Sequence, residues 1–366
     1  MALLNVVLLQ RMTDARLTSA ELCSGADGEW ADGTCWLTGV GGGWQATAAA
    51  GLAAADDFNA RVSQYVPQFG SEAMQQCGVQ LSVTVLDSGS TARHTLEQVT
   101  SSTFNASVVV GPLRSSVSEA SALLLGIRDV PQVSYGSSSP TLSEKSLYPR
   151  FFRTFPSDAS AASSICHLLG AEQLGMSRLA IFYSANSYGE GYFRALQEEC
   201  AAVGVEAQGW PYEVGSRESI GAAVSNLEAS AASVVVCVFL DPTDLTMLIE
   251  AGLELGSIGK ARPRQFILPE ALDLDSVSSA AREVLHGSLT LRSIGGTTAN
   301  PRWAAFAEEG WRNLSAASFN RLLPENFQID DSLFGPTFDA HNSFFLRNLG
   351  TYEYDAMAAV GLLACE

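Results

Sequence analysis

Residues 107–143 read SVVVGPLRSSVSEASALLLGIRDVPQVSYGSSSPTLS. The order is strand, tight turn, helix, strand, serine-rich turn. Val108, Val109 and Val110 form a short β-branched run, as in a strand buried on both faces. Gly111-Pro112 breaks it. Ser115 or Ser116 then caps a helix that carries Val117, Ala120, Leu123 and Leu124 on one face. Asp129-Val130-Pro131 ends that helix, and residues 132–135 form the next strand. In Gly136-Ser137-Ser138-Ser139-Pro140, Ser139 suits an N-cap and Pro140 the first helical position. Two hydroxyl-rich helix starts thus follow the carboxyl ends of two parallel strands. Open α/β sheets bind ligands there, and helix N-termini favour anions. The stretch reads as a carboxylate-binding cleft.

The same alternation extends in both directions. Upstream, residues 4–9 form a strand, 11–42 a long loop, 45–63 an Ala-rich helix, 79–86 a strand and 91–100 a helix. The end of that loop, Gly39-Val40-Gly41-Gly42-Gly43-Trp44, lacks the Lys-Ser/Thr of a phosphate loop and reads as a turn into the helix. Downstream, residues 148–155 (YPRFFRTF) are extended and Pro-bounded, a crossing between lobes. A second series follows, with strands at 179–183, 205–212, 233–240, 265–268 and 286–291. Its helices fall at 158–169, 191–203, 216–229, 244–255 and 277–284. Residues 293–298 cross back, 301–314 are helical, 316–350 are mostly loop and 352–364 form a last helix. Strict alternation of strands and helices argues for doubly wound parallel sheets. The expected fold class is α/β, two such lobes with an interlobe cleft: lobe 1 at 1–155, lobe 2 at 156–290, and 291–366 returning to lobe 1. The lobes share a βα pattern but no repeat at the level of sequence.

The chain has 366 residues, 47% hydrophobic and 16% charged, which suits two ordinary globular domains. A net charge of −18 argues against nucleic acid as a partner and against docking on anionic lipid. The apolar runs at 234–240 and 356–364 fall well short of the roughly 20 residues that span a bilayer. MALLNVVLLQRM has no basic n-region and no small-residue cleavage site, so it reads as a strand and not as a signal peptide.

Seven cysteines include no Cys-x-x-Cys pair, which leaves zinc and thioredoxin-type chemistry without support. Cys23 and Cys35 bracket a polar Gly/Asp loop that a disulfide would close. Cys166 and Cys200 lie on neighbouring helices that a disulfide would staple. Cys237 falls within a buried strand as a free thiol, and Cys365 awaits a partner in sequence beyond this chain. The sequons at Asn105 and Asn313 and the cysteines together favour an extracellular setting.

No catalytic constellation emerges. His94, His167, His286 and His341 belong to no metal motif, and there is no Gly-x-Ser-x-Gly elbow. Asp273/Asp275 and Asp330/Asp331 look like caps and solvated turns. No cofactor is implied. A binding reading gathers more residues. Ser115 and Ser138 offer hydroxyl and N–H donors at strand ends. Asp158, Tyr188 and Glu270 offer acidic and aromatic groups at the strand ends and helix starts of the second lobe. Donors with a helix dipole hold a carboxylate. Carboxylates and a Tyr face hold an ammonium. Together they describe a free α-amino acid. Each residue also has an ordinary structural role open to it: Ser115 and Asp158 as caps, Ser138 and Tyr188 at turns, Glu270 in solvent.

At these residues the chain resembles the type I periplasmic-binding-protein fold. It is closest in pattern to the extracellular domains of class C G-protein-coupled receptors, and it is similar to bacterial branched-chain amino-acid binding proteins. The stretches that carry the resemblance are VVVGPLRSSVSEAS, VPQVSYGSSSPTLSEKSLYPRFFRTFPSD, NSYGEGYFRALQEECAAVGV and YEYDAMAAVGLLA. The resemblance implies an amino-acid clamp of Ser115 with its neighbour Ser116, the serine-rich turn at Ser137 and Ser138, Asp158, Tyr188 and Glu270. It implies no enzymatic activity, a small-molecule ligand, signalling by lobe closure, and homo- or heterodimers formed through lobe 1. It places any membrane or signalling portion outside this chain. A peptide ligand, a ligandless structural subunit and a periplasmic solute-binding protein for uptake are the alternatives. The family's glutamate receptors carry a basic residue early in the first long helix. Here that segment is Trp44-Gln45-Ala46-Thr47, which leaves the side-chain preference open. The family's third interlobe crossing does not appear before Glu366, so the domain is expected to continue further.

Overall fold

The computed structural model describes residues 2–13, 28–31, 34–37, 43–170, 172–227, 229–239, 241–269, 277–293, 295–297, 299–340, 343 and 345–366. The chain divides into two compact units. Unit 1 holds Met1–Ser137, Glu144–Phe155 and Ile294–Glu366, and unit 2 holds Ser138–Ser143 and Pro156–Ser293.

In unit 1 the strands are β1 (Ala2–Gln10), β2 (Gly28–Ala31), β3 (Thr34–Leu37), β4 (Val79–Asp87), β5 (Val108–Val110), β6 (Gln132–Ser134) and β7 (Phe151–Arg153). Five of them form one sheet in the order β4-β1-β5-β6-β7, paired in parallel throughout. Period-two alternation sends Val6, Leu8, Val108 and Val110 to one core and Val7, Leu9 and Val109 to the other. The first core is closed by the Ala-rich helix Gly43–Ala60 and the final helix Thr351–Leu363. Their close approach is set by Gly361, where a Cβ would meet the Phe58 ring at 2.6 Å.

Unit 2 adds β8 (Arg178–Ser184), β9 (Glu206–Tyr212), β10 (Val234–Val238), β11 (Gln265–Leu268) and β12 (Leu289–Thr290), ordered β12-β11-β10-β8-β9 and again all parallel. Ala180, Phe182, Val235, Cys237, Phe266 and Leu268 face one core, and Leu179, Ile181, Val234, Val236 and Ile267 the other. Counted in order along the chain within each five-stranded sheet, both units read 2-1-3-4-5. The two units are therefore topological copies, a repeat that their sequences do not show.

Several expectations are corrected. Residues 28–37 carry the antiparallel pair β2–β3 within the expected loop, and the residues that join them are Asp32-Gly33, the dipeptide two-residue hairpins favour. The expected crossing at 148–155 contains β7, which joins the unit 1 sheet as an edge strand; Phe151 is buried while its neighbour Phe152 is exposed, as strand alternation requires. The segment 316–350 is mostly loop, as expected, but carries helical turns at Ala316–Asn320, Asp331–Phe334 and Leu346–Gly350. The last of these runs straight into the final helix. The helix expected at 191–203 begins four residues earlier, at Ser187, because the Asn186 side chain accepts from the N–H groups of Tyr188 and Gly189 and caps it. The helix expected at 216–229 is Arg217–Ser225, and the strand expected at 286–291 shortens to β12.

Cys166 and Cys200 are bonded as expected, and Cys237 is a buried free thiol whose pKa burial pushes up. Cys35 is disulfide-bonded, and Cys23 lies outside the described residues. Cys365 needs no partner beyond the chain, because it is bonded to Cys77, with Cα atoms 5.6 Å apart. Asn105 and Asn313 are both exposed. Asp330 is a cap, accepting from the Ser332 N–H at 2.8 Å, whereas Asp273, Asp275 and His341 lie outside the described residues.

Candidate ligand-binding site

In a 2-1-3-4-5 sheet the connections diverge between the first strand and the third, and the crevice at their carboxyl ends is where such sheets take ligands. In unit 1 that point lies at the ends of β1 and β5, and in unit 2 at the ends of β8 and β10.

Beyond β5 the chain turns sharply at Gly111, whose φ is 94°. A Cβ there would meet the Leu9 carbonyl oxygen at 2.5 Å, so only glycine fits. Gly111-Pro112 is a cis peptide. The Pro112 carbonyl accepts from the Ser134 hydroxyl at 2.7 Å and from the Ser118 hydroxyl at 3.2 Å. Ser137 Oγ lies 2.8 Å from Ser118 Oγ and 3.1 Å from the Leu113 carbonyl. The serine-rich turn after β6 is thereby tied to the start of the helix Ser115–Ile127. Within unit 1 the structure brings Ser115 and Ser137 to one place, both buried, with Ser116 half-buried beside them.

Neither Ser115 nor Ser116 caps that helix. The N-cap is Arg114, whose carbonyl accepts from the N–H groups of Val117 and Ser118, so Ser115 is already the first helical residue. Val117 turns inward and is buried, while Leu123 and Ile127 are exposed at 46% and 85%.

Unit 2 gathers three more of the expected residues. The Asp158 N–H donates to the Ser138 carbonyl at 3.0 Å. Ser139 Oγ donates to the carbonyl of Ser187, the residue before Tyr188, at 3.1 Å. The short segment Ser138–Ser143 is thus held against the starts of two helices, Asp158–Leu169 and Ser187–Ala202. Ser138, Asp158 and Tyr188 are each 3% exposed. Asp158 is not the cap of its helix, because Ser157 fills that position and leaves the Asp158 carboxylate in the first turn. Tyr188 packs edge-on to Tyr192, with ring centroids 6.1 Å apart. Gly189 is demanded by crowding, since a Cβ there would meet the Ser184 carbonyl oxygen at 2.0 Å. Glu270 lies outside the described residues.

Charge differs between the helices that follow the first strands of each sheet, while the helix Ser279–Leu285 after β11 has no acidic residue in its first turn. The three helices that lead on from β3, β4 and β5 in unit 1 have no acidic residue in their first turns. In unit 2, the helix Asp158–Leu169 carries Asp158 there, and those that follow β8, β9 and β10 carry Glu190, Glu218 and Asp244. Bare helix starts favour an anion, and starts bearing carboxylates favour a cation. Near β8, burial raises the Tyr183 phenol pKa and the Glu190 charge raises it further.

Sequence reasoning passed over Ser184. It ends β8, is 1% exposed, and its hydroxyl has no hydrogen-bond partner among the described residues. The apolar run reads as a strand ending at Tyr183, and Ser184 carries no motif of its own.

Two α/β units of one topology, each with polar helix starts at its switch point, define a ligand-binding module of the two-lobed receptor type. A family model described as receptor family ligand binding region matches residues 75–316, more than half of the chain, and the chain belongs to that family. It is similar to the extracellular calcium-sensing receptor of Homo sapiens, 31% identical over 154 residues, which cover 42% of this chain and 14% of that protein. It is similar to taste receptor type 1 member 3 of Felis catus, 38% identical over 81 residues, 22% of this chain and 9% of that one. Metabotropic glutamate receptor 8 of Homo sapiens is 29% identical over 155 residues, 41% of this chain and 17% of that one. The chain therefore matches a small part of the length of these relatives. They are receptors and not enzymes, and the matched part is their extracellular ligand-binding region. No described helix is long and apolar enough to cross a membrane.

Proposed function

We propose that the chain is the extracellular ligand-binding region of a receptor and that its ligand is a free α-amino acid or a close analogue. The observation that carries this is the difference between particular helix starts, hydroxyl-bearing and free of carboxylates at Ser115–Ile127 in unit 1, acidic at Asp158–Leu169, Ser187–Ala202 and Pro242–Glu254 in unit 2. Ser115 and the serine-rich turn at Ser137 and Ser138 take the carboxylate, with Ser116 beside them. Asp158, Tyr188 and Glu270 take the ammonium end. The first long helix opens Gly43-Trp44-Gln45, with no basic side chain in its first turn, which leaves the side-chain preference of the site open. A ligand that engages both units favours the closed population in proportion to its differential affinity, and that shift is the signal. Disulfide-bonded cysteines and exposed sequon asparagines support an extracellular setting.

A thermal-shift screen against the common amino acids, γ-aminobutyrate and small carboxylates tests this reading. Binding to the native state alone stabilises it by about 2.7 kcal/mol at a hundredfold excess over Kd. The expected result is a shift with one or more α-amino acids that Ser115→Ala abolishes. Silence across the whole set, from a sample that unfolds cooperatively, rejects it.

We also propose that unit 1 pairs with a second copy or a related chain through the exposed side chains of Leu123 and Ile127. Ile127→Glu is expected to convert a sedimenting dimer to a monomer. A wild-type chain that sediments as a monomer at high concentration removes the homodimer.

A further inference from the structure

Unit 1 contains a pocket that uses none of the residues above. It has a volume of about 120 Å³ and is lined by Tyr65, Trp303, Phe306, Tyr354, Asp355 and Arg302, among others. Phe306 is the hub of its wall. Tyr65 stands edge-on to it with centroids 5.2 Å apart, Tyr354 at 5.3 Å, and Trp303 lies tilted at 6.1 Å. Gly310 makes room for this arrangement, since a Cβ there would meet the Tyr65 hydroxyl at 2.3 Å.

Negative charge stands behind the rings. The Tyr354 hydroxyl donates to Asp57 Oδ2 at 2.6 Å, which fixes the ring and adds to its electron density. Burial raises the Tyr354 phenol pKa, and Asp57 and Asp355 raise it further. Tyr65 is raised by burial and then by Asp57 and Glu309. Asp57 is itself raised by burial and by neighbouring Asp56, against the pull of the Tyr354 bond, so its charge is poorly compensated. Arg302 also lines the pocket and is itself exposed to solvent.

We propose that this pocket binds a small organic ammonium ion. Aromatic faces attract a cation through their quadrupoles and do best with one that gives up its water cheaply, which an alkylated ammonium does and a hydrated metal ion does not. The carboxylates of Asp57, Asp355 and Glu309 supply the long-range attraction. The volume suits a group of a few heavy atoms. The site lies within unit 1 and is independent of the amino-acid reading.

The test is calorimetric titration of the chain with choline chloride and, in parallel, with 3,3-dimethylbutan-1-ol, its uncharged isostere, at constant ionic strength. Choline is expected to bind saturably and the alcohol at least about tenfold more weakly, because only the charge distinguishes them. Tyr65→Leu and Asp355→Asn are each expected to weaken choline by about fivefold while Ser115→Ala leaves it unchanged. Asp355 is exposed, so its variant carries the test even where Tyr65→Leu disturbs packing. Absence of saturable choline binding, equal affinity for the alcohol, or binding indifferent to Asp355→Asn overturns the proposal.

Discussion

Replacing Cys77 and Cys365 together by serine lowers the unfolding temperature of unit 1 by about 10 °C and leaves the unit 2 transition in place. The bond joins residues 288 apart in sequence, both within unit 1. Cys77 ends the short helix Glu72–Gln76, two residues before β4 begins, and Cys365 follows the final helix. The crosslink therefore fastens the last element of the chain to the edge of the sheet on which it packs. Without it, the unfolded chain regains the freedom of a very long loop, on the order of 5 kcal/mol. The final helix also loses its tether beside Phe58, which sits under Gly361. Differential scanning calorimetry of the double variant checks this. A transition that moves by less than a degree, or one that moves in unit 2 as well, contradicts it.

Glu353 makes unit 1 less stable as the pH rises. Its side chain is wholly buried. Gln10 Nε2 donates to its Oε1 at 2.6 Å, while Oε2 has no hydrogen-bond partner among the described residues. The Gln10 amide oxygen in turn accepts from the Tyr135 hydroxyl at 3.2 Å and faces the Thr47 hydroxyl at 3.5 Å. Burial pushes the carboxyl pKa from 4.5 up to about 8, against a smaller pull from the Gln10 bond. The folded form therefore holds a proton that the unfolded form has lost, and stability falls as pH rises between those two values. The slope approaches about 1.4 kcal/mol per pH unit. Glu353→Gln keeps the shape and removes the titration. Its advantage over the wild type is expected to be constant below pH 4.5, to grow up to about pH 8 and to level off above it. Urea unfolding of both forms across that range gives the difference. A wild type that runs parallel to the glutamine variant rules out a protonated Glu353.

Much of this was legible in order along the chain. Val108-Val109-Val110 and Val234 to Val238 announce buried strands because both faces of a parallel sheet are covered. Gly111-Pro112 and Asp158 mark a turn and a helix start through local backbone preferences, whereas the cap at Asn186 is one that the apolar period of its helix misses. Cys166 and Cys200 sit on neighbouring helices of one βα unit, so their pairing follows from nearby elements. Ser115, Ser137, Ser138, Asp158 and Tyr188 stand where the sequence places them, just past a strand end or in the first turn of a helix, because position along a βα repeat is a local property.

What the tertiary structure alone decided are relations between distant segments. The strand order 2-1-3-4-5 in both units depends on which strand edges meet, and hydrophobic periodicity is blind to that choice. Cys77 with Cys365, Gln10 with Glu353, and Asp57 with Tyr354 are pairs 288, 343 and 297 residues apart. A carboxylate such as Glu353, in the polar-looking run Tyr352-Glu353-Tyr354-Asp355, gives no sign that it will be sealed in a core, because its burial is set by the Ala-rich helix packed over it. Local sequence encodes local conformation through backbone sterics and side-chain period. The environment of a side chain is set by what the rest of the chain packs against it, and that is known only when the elements have come together.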